Sequence, residues 1–72
     1  MIDAELAEAM HAKNAAFARL AAKTRDVLAW QQAHHTPEGY DELPGALAQT
    51  RARLEDEYRR AQRRYRFALG RR

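Results

Sequence analysis

The chain has 72 residues, 13 Lys and Arg against 10 Asp and Glu, a formal net charge of +3 and no cysteine. This length allows one small domain, and the lack of cysteine excludes a disulfide scaffold and fits a reducing compartment. Because no apolar run approaches the roughly 20 residues that span a bilayer, and residues 1–8 lack the pattern of a signal peptide, we expect a cytoplasmic protein.

The first predicted helix covers residues 3–35, a stretch that contains neither Pro nor Gly. Asp3 is a candidate N-cap, and Glu5 and Glu8 lie where the positive end of the helix dipole favours acids. At 100° per residue, we expect Lys13 and Thr24 to interrupt an otherwise apolar buried face. That predicted face consists of Ile2, Leu6, Ala9, Met10, Phe17, Leu20, Ala21, Val27 and Leu28.

The predicted connection covers residues 36–43. Pro37 disfavours helical angles at Thr36 and is suited to the first position of a new helix. We therefore expect Thr36 to cap a short helical turn over residues 37–42, followed by a kink and a second helical start at Pro44.

The second predicted helix covers residues 44–69 and has the clearest period in the chain. Apolar or small residues recur at steps of three and four, which keeps them on one helical face, and the opposite face is charged. Gly70 is suited to end the helix. The predicted stripe, begun in the connection, consists of Tyr40, Leu43, Leu47, Thr50, Leu54, Tyr58, Ala61, Tyr65 and Ala68/Leu69.

A short connection predicts that the two helices lie antiparallel. Pairing residues whose numbers add up to about 75 brings large side chains together at five places, and leaves Lys13 opposite the small Ala61 and Gln62. These pairs are Leu28–Leu47, Leu20–Leu54, Phe17–Tyr58, Met10–Tyr65 and Leu6–Leu69. The sequence therefore predicts an all-α, antiparallel two-helix hairpin.

A second strip of the first helix predicts that the hairpin dimerises. Ala9, Ala12, Ala16, Val27 and Trp30 lie beside the main apolar face, and small side chains allow another helix to approach closely. We expect a homodimer that forms a four-helix bundle with coiled-coil packing, and a monomeric hairpin is the alternative.

Charge is distributed unevenly, since residues 58–72 contain seven arginines and no acid. One hypothesis is a nucleic-acid site, because Arg binds phosphate well and Phe67 is placed to stack on a base. Alternatives are an acidic protein, an anionic lipid surface, or a solvated face neutralised by Glu55, Asp56 and the acids near the N-terminus. The candidate contacts are Arg63, Arg64, Arg66, Phe67, Arg71 and Arg72.

An aromatic cluster is predicted at the turn, formed by Trp30, His34, His35 and Tyr40. Aromatic side chains often anchor protein interfaces, so this tip is a candidate partner site. The alternative is that Trp30 caps the end of the hydrophobic core, and that Phe67 covers a neighbouring chain.

We find no sequence pattern of an enzyme, a metal site or a cofactor site. The chain has no Gly-rich phosphate loop, and His11 is far along the helix from His34 and His35, with no Cys to complete a ligand set. We expect a non-enzymatic protein–protein interaction module, such as an adaptor, chaperone or regulator, without a small-molecule substrate. The alternative is a regulator that binds nucleic acid through the arginine-rich end.

Overall fold

A computed structural model of the chain describes residues 3–40 and 42–70, except the side chain of Tyr40. It contains helix α1 (Ala4–Ala33), strands β1 (His35–Thr36) and β2 (Gly39–Tyr40), and helix α2 (Gly45–Gly70). The two helices pack against each other and form a rod of 57 × 17 × 15 Å. The predicted all-α helical hairpin is confirmed, and both helices begin and end within two residues of their predicted bounds.

The ends of α1 are held by local hydrogen bonds. The Asp3 carboxylate accepts hydrogen bonds from the backbone N–H groups of Glu5 and Leu6, at 3.0 and 3.3 Å, so Asp3 is the N-cap as predicted. At the other end, the backbone N–H of His34 donates to the carbonyl oxygens of Trp30 and Gln31. These bonds satisfy backbone groups that a helix end would otherwise leave without partners.

The predicted helical turn over residues 37–42 is wrong, since β1 and β2 form a small antiparallel hairpin instead. Pro37 and Glu38 lie at its turn, and Thr36 does not cap a helix but donates its hydroxyl to the carbonyl oxygen of Gly39 at 3.2 Å. The physical reason is turn chemistry: Pro suits the second position of a β-turn, and Gly39 supplies a positive φ of 132°. Asp41 lies outside the described residues.

The predicted stripe on α2 is confirmed along most of its length. Leu54 and Ala68 are buried, and the positions between them that carry the stripe are half-buried. Leu69, which we expected to pair with Leu6, is instead 44% exposed, and its neighbour Ala68 is buried. At the C-terminal end of α2, the buried stripe therefore ends on Ala68 rather than on the larger Leu69.

The buried face of α1 differs from the prediction. Met10, Phe17 and Leu28, which we predicted to be buried, are 45%, 55% and 52% exposed. Ala9 and Val27 are buried as predicted, and Ala16, which we placed on the second strip, is buried with them. The strip that we predicted to receive a second hairpin therefore lies within the seam between α1 and α2. Buried and half-buried positions alternate by three and four along this seam, at Leu6, Ala9, Lys13, Ala16, Leu20, Lys23, Val27 and Trp30.

The pairing of the two helices agrees with the predicted register at its centre. The rings of Phe17 and Tyr58 lie 5.6 Å apart, and a guanidinium nitrogen of Arg19 lies 3.7 Å from a carboxylate oxygen of Glu57. We expected Lys13 to lie opposite Ala61 and Gln62. Its ammonium instead lies 4.3 Å from the centre of the Tyr65 ring. A cation over an aromatic face is attracted to it, which accounts for this placement.

The seam should depend on Leu54, the one large side chain of α2 that is buried among the described residues. We expect Leu54→Ala to lower the free energy of unfolding by about 2–5 kcal/mol, because a cavity would replace packed methyl groups. Circular dichroism during a urea titration measures this change. The control is Gln49→Ala at an exposed position of the same helix, with an expected effect within about 0.5 kcal/mol. Equal midpoints for both variants would contradict the seam.

Candidate functional site

The most prominent surface feature is an apolar stripe on α1, formed by Met10, Phe17, Ala21 and Leu28. Met10 and Leu28 are 18 residues apart, which is about five whole turns, so they lie in line on the helix, with Phe17 and Ala21 close to the same line. Each of the three large side chains is about half exposed, and Ala21 is half-buried. Such a line of large apolar side chains left in contact with water is typical of an interaction surface.

The stripe belongs to one side of the hairpin. Phe17 contacts Tyr58 on this side, and Gln62 lies one turn further along α2 and donates to the Tyr58 hydroxyl at 3.3 Å. Arg19 is two residues from Phe17, or about 200° around α1, so its ion pair with Glu57 lies on the opposite side. The rod therefore has one apolar side and one side that is bridged by charges.

The edge of α2 on the apolar side carries charge. Arg51 and Glu55 lie seven and three residues before Tyr58, which places them on its side of the helix. A carboxylate oxygen of Glu55 lies 3.5 Å from Arg51, and its other oxygen lies 3.5 Å from Arg59. The exposed apolar surface therefore belongs mainly to α1, and this ion-paired edge borders it.

The arginine-rich end is partly neutralised, in the manner that the sequence suggested. Arg60 contacts Asp56 at 2.7 Å, and Arg64 reaches across the seam to Glu8 at 3.7 Å. Arg63 and Arg66 are exposed and form no ion pair with any residue that the structure describes. Arg71 and Arg72 lie outside the described residues.

Phe67 is 67% exposed and lies away from the apolar stripe. It is one residue before the buried Ala68 and nine residues after Tyr58, or about 180° around α2 from that ring. The structure therefore does not bring Phe67 together with the apolar side of the hairpin. It stays near Arg63, Arg64 and Arg66 in the chain, as the sequence implied.

The aromatic tip is present in part. The rings of Trp30 and His34 stack with centroids 4.0 Å apart, and the Nδ1 atom of His34 lies 2.8 Å from the carbonyl oxygen of Trp30. His35 is exposed at the first position of β1, and the side chain of Tyr40 lies outside the described part. Trp30 itself is half-buried, so it closes one end of the seam and still presents an edge to water.

Sequence reasoning missed the apolar stripe as a surface, because it assigned Met10, Phe17 and Leu28 to the core. The signal that could have found it is the 3-4-3-4 spacing from Leu6 to Trp30, which is the spacing of a two-helix seam. Residues beside that seam have no second helix to cover them.

Residues 3–40 and 42–70 contain no group of three or more His, Asp or Glu side chains placed to hold a metal ion. Neither helix, over the same residues, is long and apolar enough to cross a membrane.

Comparison with known proteins gives no family for this chain. No protein-family model, curated protein or solved structure matches it. The physical features of the hairpin are therefore the basis for any functional proposal.

The arginines at positions 63, 64 and 66 should contribute little to folding. They are exposed, and within the described part of the chain only Arg64 forms an ion pair, with Glu8, which is a solvent-exposed pair worth about tenths of a kcal/mol. We expect replacement of all three by Ala to change the free energy of unfolding by less than about 1 kcal/mol. Urea titration at low and high salt measures it. A loss of several kcal/mol would mean that the arginines hold the hairpin together.

Proposed function

We propose that this protein is a small, non-enzymatic protein–protein interaction module of the cytoplasm, which acts as an adaptor, chaperone or regulator. Its binding surface is the apolar stripe on α1, which a second copy of the chain and other protein partners would occupy in turn. The main observation that supports this proposal is the exposure of three large apolar side chains in line on one side of the rod. Contact between such a surface and water is unfavourable, and burial against a partner lowers the free energy.

The small core of the hairpin is a second line of support. Among the residues that the structure describes, five are buried, and three of these are alanines that contribute little apolar area each: Ala9, Ala16 and Ala68. A chain of this size without disulfides or a metal usually needs regular packing or an additional subunit for stability. Association through the stripe would add the area of Met10, Phe17 and Leu28 to the buried surface.

We also propose that the protein is a homodimer, as the sequence suggested, and that its interface differs from the one expected. The strip with Ala9 and Ala16 is already covered by α2. We therefore assign the dimer interface to the stripe with Phe17. Two hairpins packed through their apolar sides would form a four-helix bundle with coiled-coil packing.

The second candidate function is nucleic-acid binding through the arginine-rich end. The observation that favours it is that Arg63 and Arg66 are exposed and have no ion pair within the described part of the chain, and that Phe67 on the same helix is 67% exposed. We place it second because Glu55, Asp56 and Glu8 already neutralise Arg59, Arg60 and Arg64.

The interaction function can be tested with two matched Phe variants. We expect Phe17→Ser to abolish capture of the protein's partners after cross-linking in its own cell, because it interrupts the apolar stripe. Phe67→Ser removes an aromatic ring of equal size on the other side of the hairpin, and we expect it to retain every partner. Mass spectrometry of the captured proteins measures the difference.

Circular dichroism of both variants serves as the folding control, since Phe17 also contacts Tyr58. Equal capture by the wild-type chain and Phe17→Ser would refute the stripe as the binding surface. If only Phe67→Ser lost its captured partners, the binding surface would be the arginine-rich end instead of the stripe.

Nucleic-acid binding has its own measurement. At a salt concentration of about 150 mM we expect the chain to bind random duplex and single-stranded oligonucleotides more weakly than about 1 μM, because few arginines are available to neutralise phosphates. Fluorescence anisotropy over a salt series measures affinity and slope. Tight, salt-sensitive binding that disappears when Arg63, Arg64 and Arg66 are replaced by Ala would make nucleic-acid binding the leading function.

A further inference from the structure

We propose that the apolar stripe is covered by the α1 helix of a second copy, in an antiparallel pairing in which the numbers of facing residues add up to 38. This inference rests on the proposed interaction function and names its partner and its register. Met10 then faces Leu28 of the second copy, and Phe17 faces Ala21 of the second copy. Both contacts occur twice, because a two-fold axis at the level of residue 19 repeats them.

The stripe is complementary to its own reversed copy. In the antiparallel pairing, Met10 and Leu28 meet at each end of the contact, and the Phe17 ring meets the small Ala21 on each side of its centre. Large against small is the packing that lets two helices interdigitate without a void. A parallel pairing would instead place Phe17 against Phe17 and leave the Ala21 side chains facing each other across a gap.

The structure disfavours α2 of a second copy as the helix that covers the stripe. The edge of α2 on the apolar side carries Arg51 and Glu55, joined at 3.5 Å. If α1 packed on this edge, Met10, Phe17 and Leu28 would remove water from charged groups without giving them new partners, which is costly. With α1 on α1, the large apolar side chains of the stripe contact each other rather than this charged edge.

Charge also favours the antiparallel arrangement. It brings the turn of one copy, which carries the exposed Glu38 and Glu42, to the end of the rod where the exposed Arg63 and Arg66 of the other copy lie. A parallel arrangement would instead bring the two pairs of arginines together. Complementary charge steers two copies into one orientation and disfavours the other.

Two charged variants and their mixture test the register. We expect Met10→Glu alone, and Leu28→Lys alone, to raise the dissociation constant of the dimer more than about tenfold, because each would bury charges without partners. In an equimolar mixture, the introduced carboxylate faces the introduced ammonium at one contact, and native Leu28 faces native Met10 at the other. We therefore expect the mixture to recover the dimer. Sedimentation equilibrium at tens of micromolar distinguishes it from the 8.3 kDa monomer.

The matched control is a mixture of Met10→Glu with Phe17→Lys, whose positions do not face each other in this register and should not recover the dimer. Circular dichroism verifies that each variant stays helical, as expected for positions that are about half exposed. Recovery by Met10→Glu mixed with Met10→Lys would show parallel helices and overturn the proposal.

A wild-type chain that sediments only as a monomer would also overturn it. That result would leave the interaction function standing if Phe17→Ser still lost its captured partners. The two proposals can therefore fail separately.

Discussion

The seam between two helices is narrower than the apolar face of α1, and the rest of the structure follows from this constraint. Two cylinders touch along one line, so a single partner covers only a part of each helix. In α1 the line of contact runs through Ala9, Ala16 and Val27, and Met10, Phe17 and Leu28 are left at its flank. Small side chains on this line allow a close approach, and the larger Leu54 and the tyrosines of α2 fill the space.

The charges of the hairpin are arranged around the same line. Arg19 and Glu57 join the helices on one side, and Glu8 and Arg64 join them near the open end of the hairpin. Exposed ion pairs of this kind stabilise a fold little, and their main consequence here is to make that side hydrophilic. The opposite side has the Phe17–Tyr58 contact and the apolar stripe. This difference makes the hairpin a two-sided rod and limits where a protein partner can bind.

The closed end of the hairpin is fixed by local chemistry rather than by the core. His34 ends α1 through its backbone N–H and places its ring on Trp30, and the hydroxyl of Thr36 bonds to Gly39 across the small β-turn. These contacts span only a few residues of sequence each. They define the turn through which the chain leaves α1 before α2 begins at Gly45.

The sequence by itself determined that the chain forms two helices, that they are antiparallel, and that Phe17 lies opposite Tyr58. Helix bounds follow from capping residues and from Pro and Gly, and the stripe of α2 is narrow enough to point in one direction only. Only the tertiary structure decided which part of the wide apolar face of α1 is buried. That choice depends on how closely two backbones can approach, which is a property of the packed pair and not of either helix. For the same reason the candidate site, the exposed Met10, Phe17 and Leu28, became visible only once α2 had taken its place on the alanines.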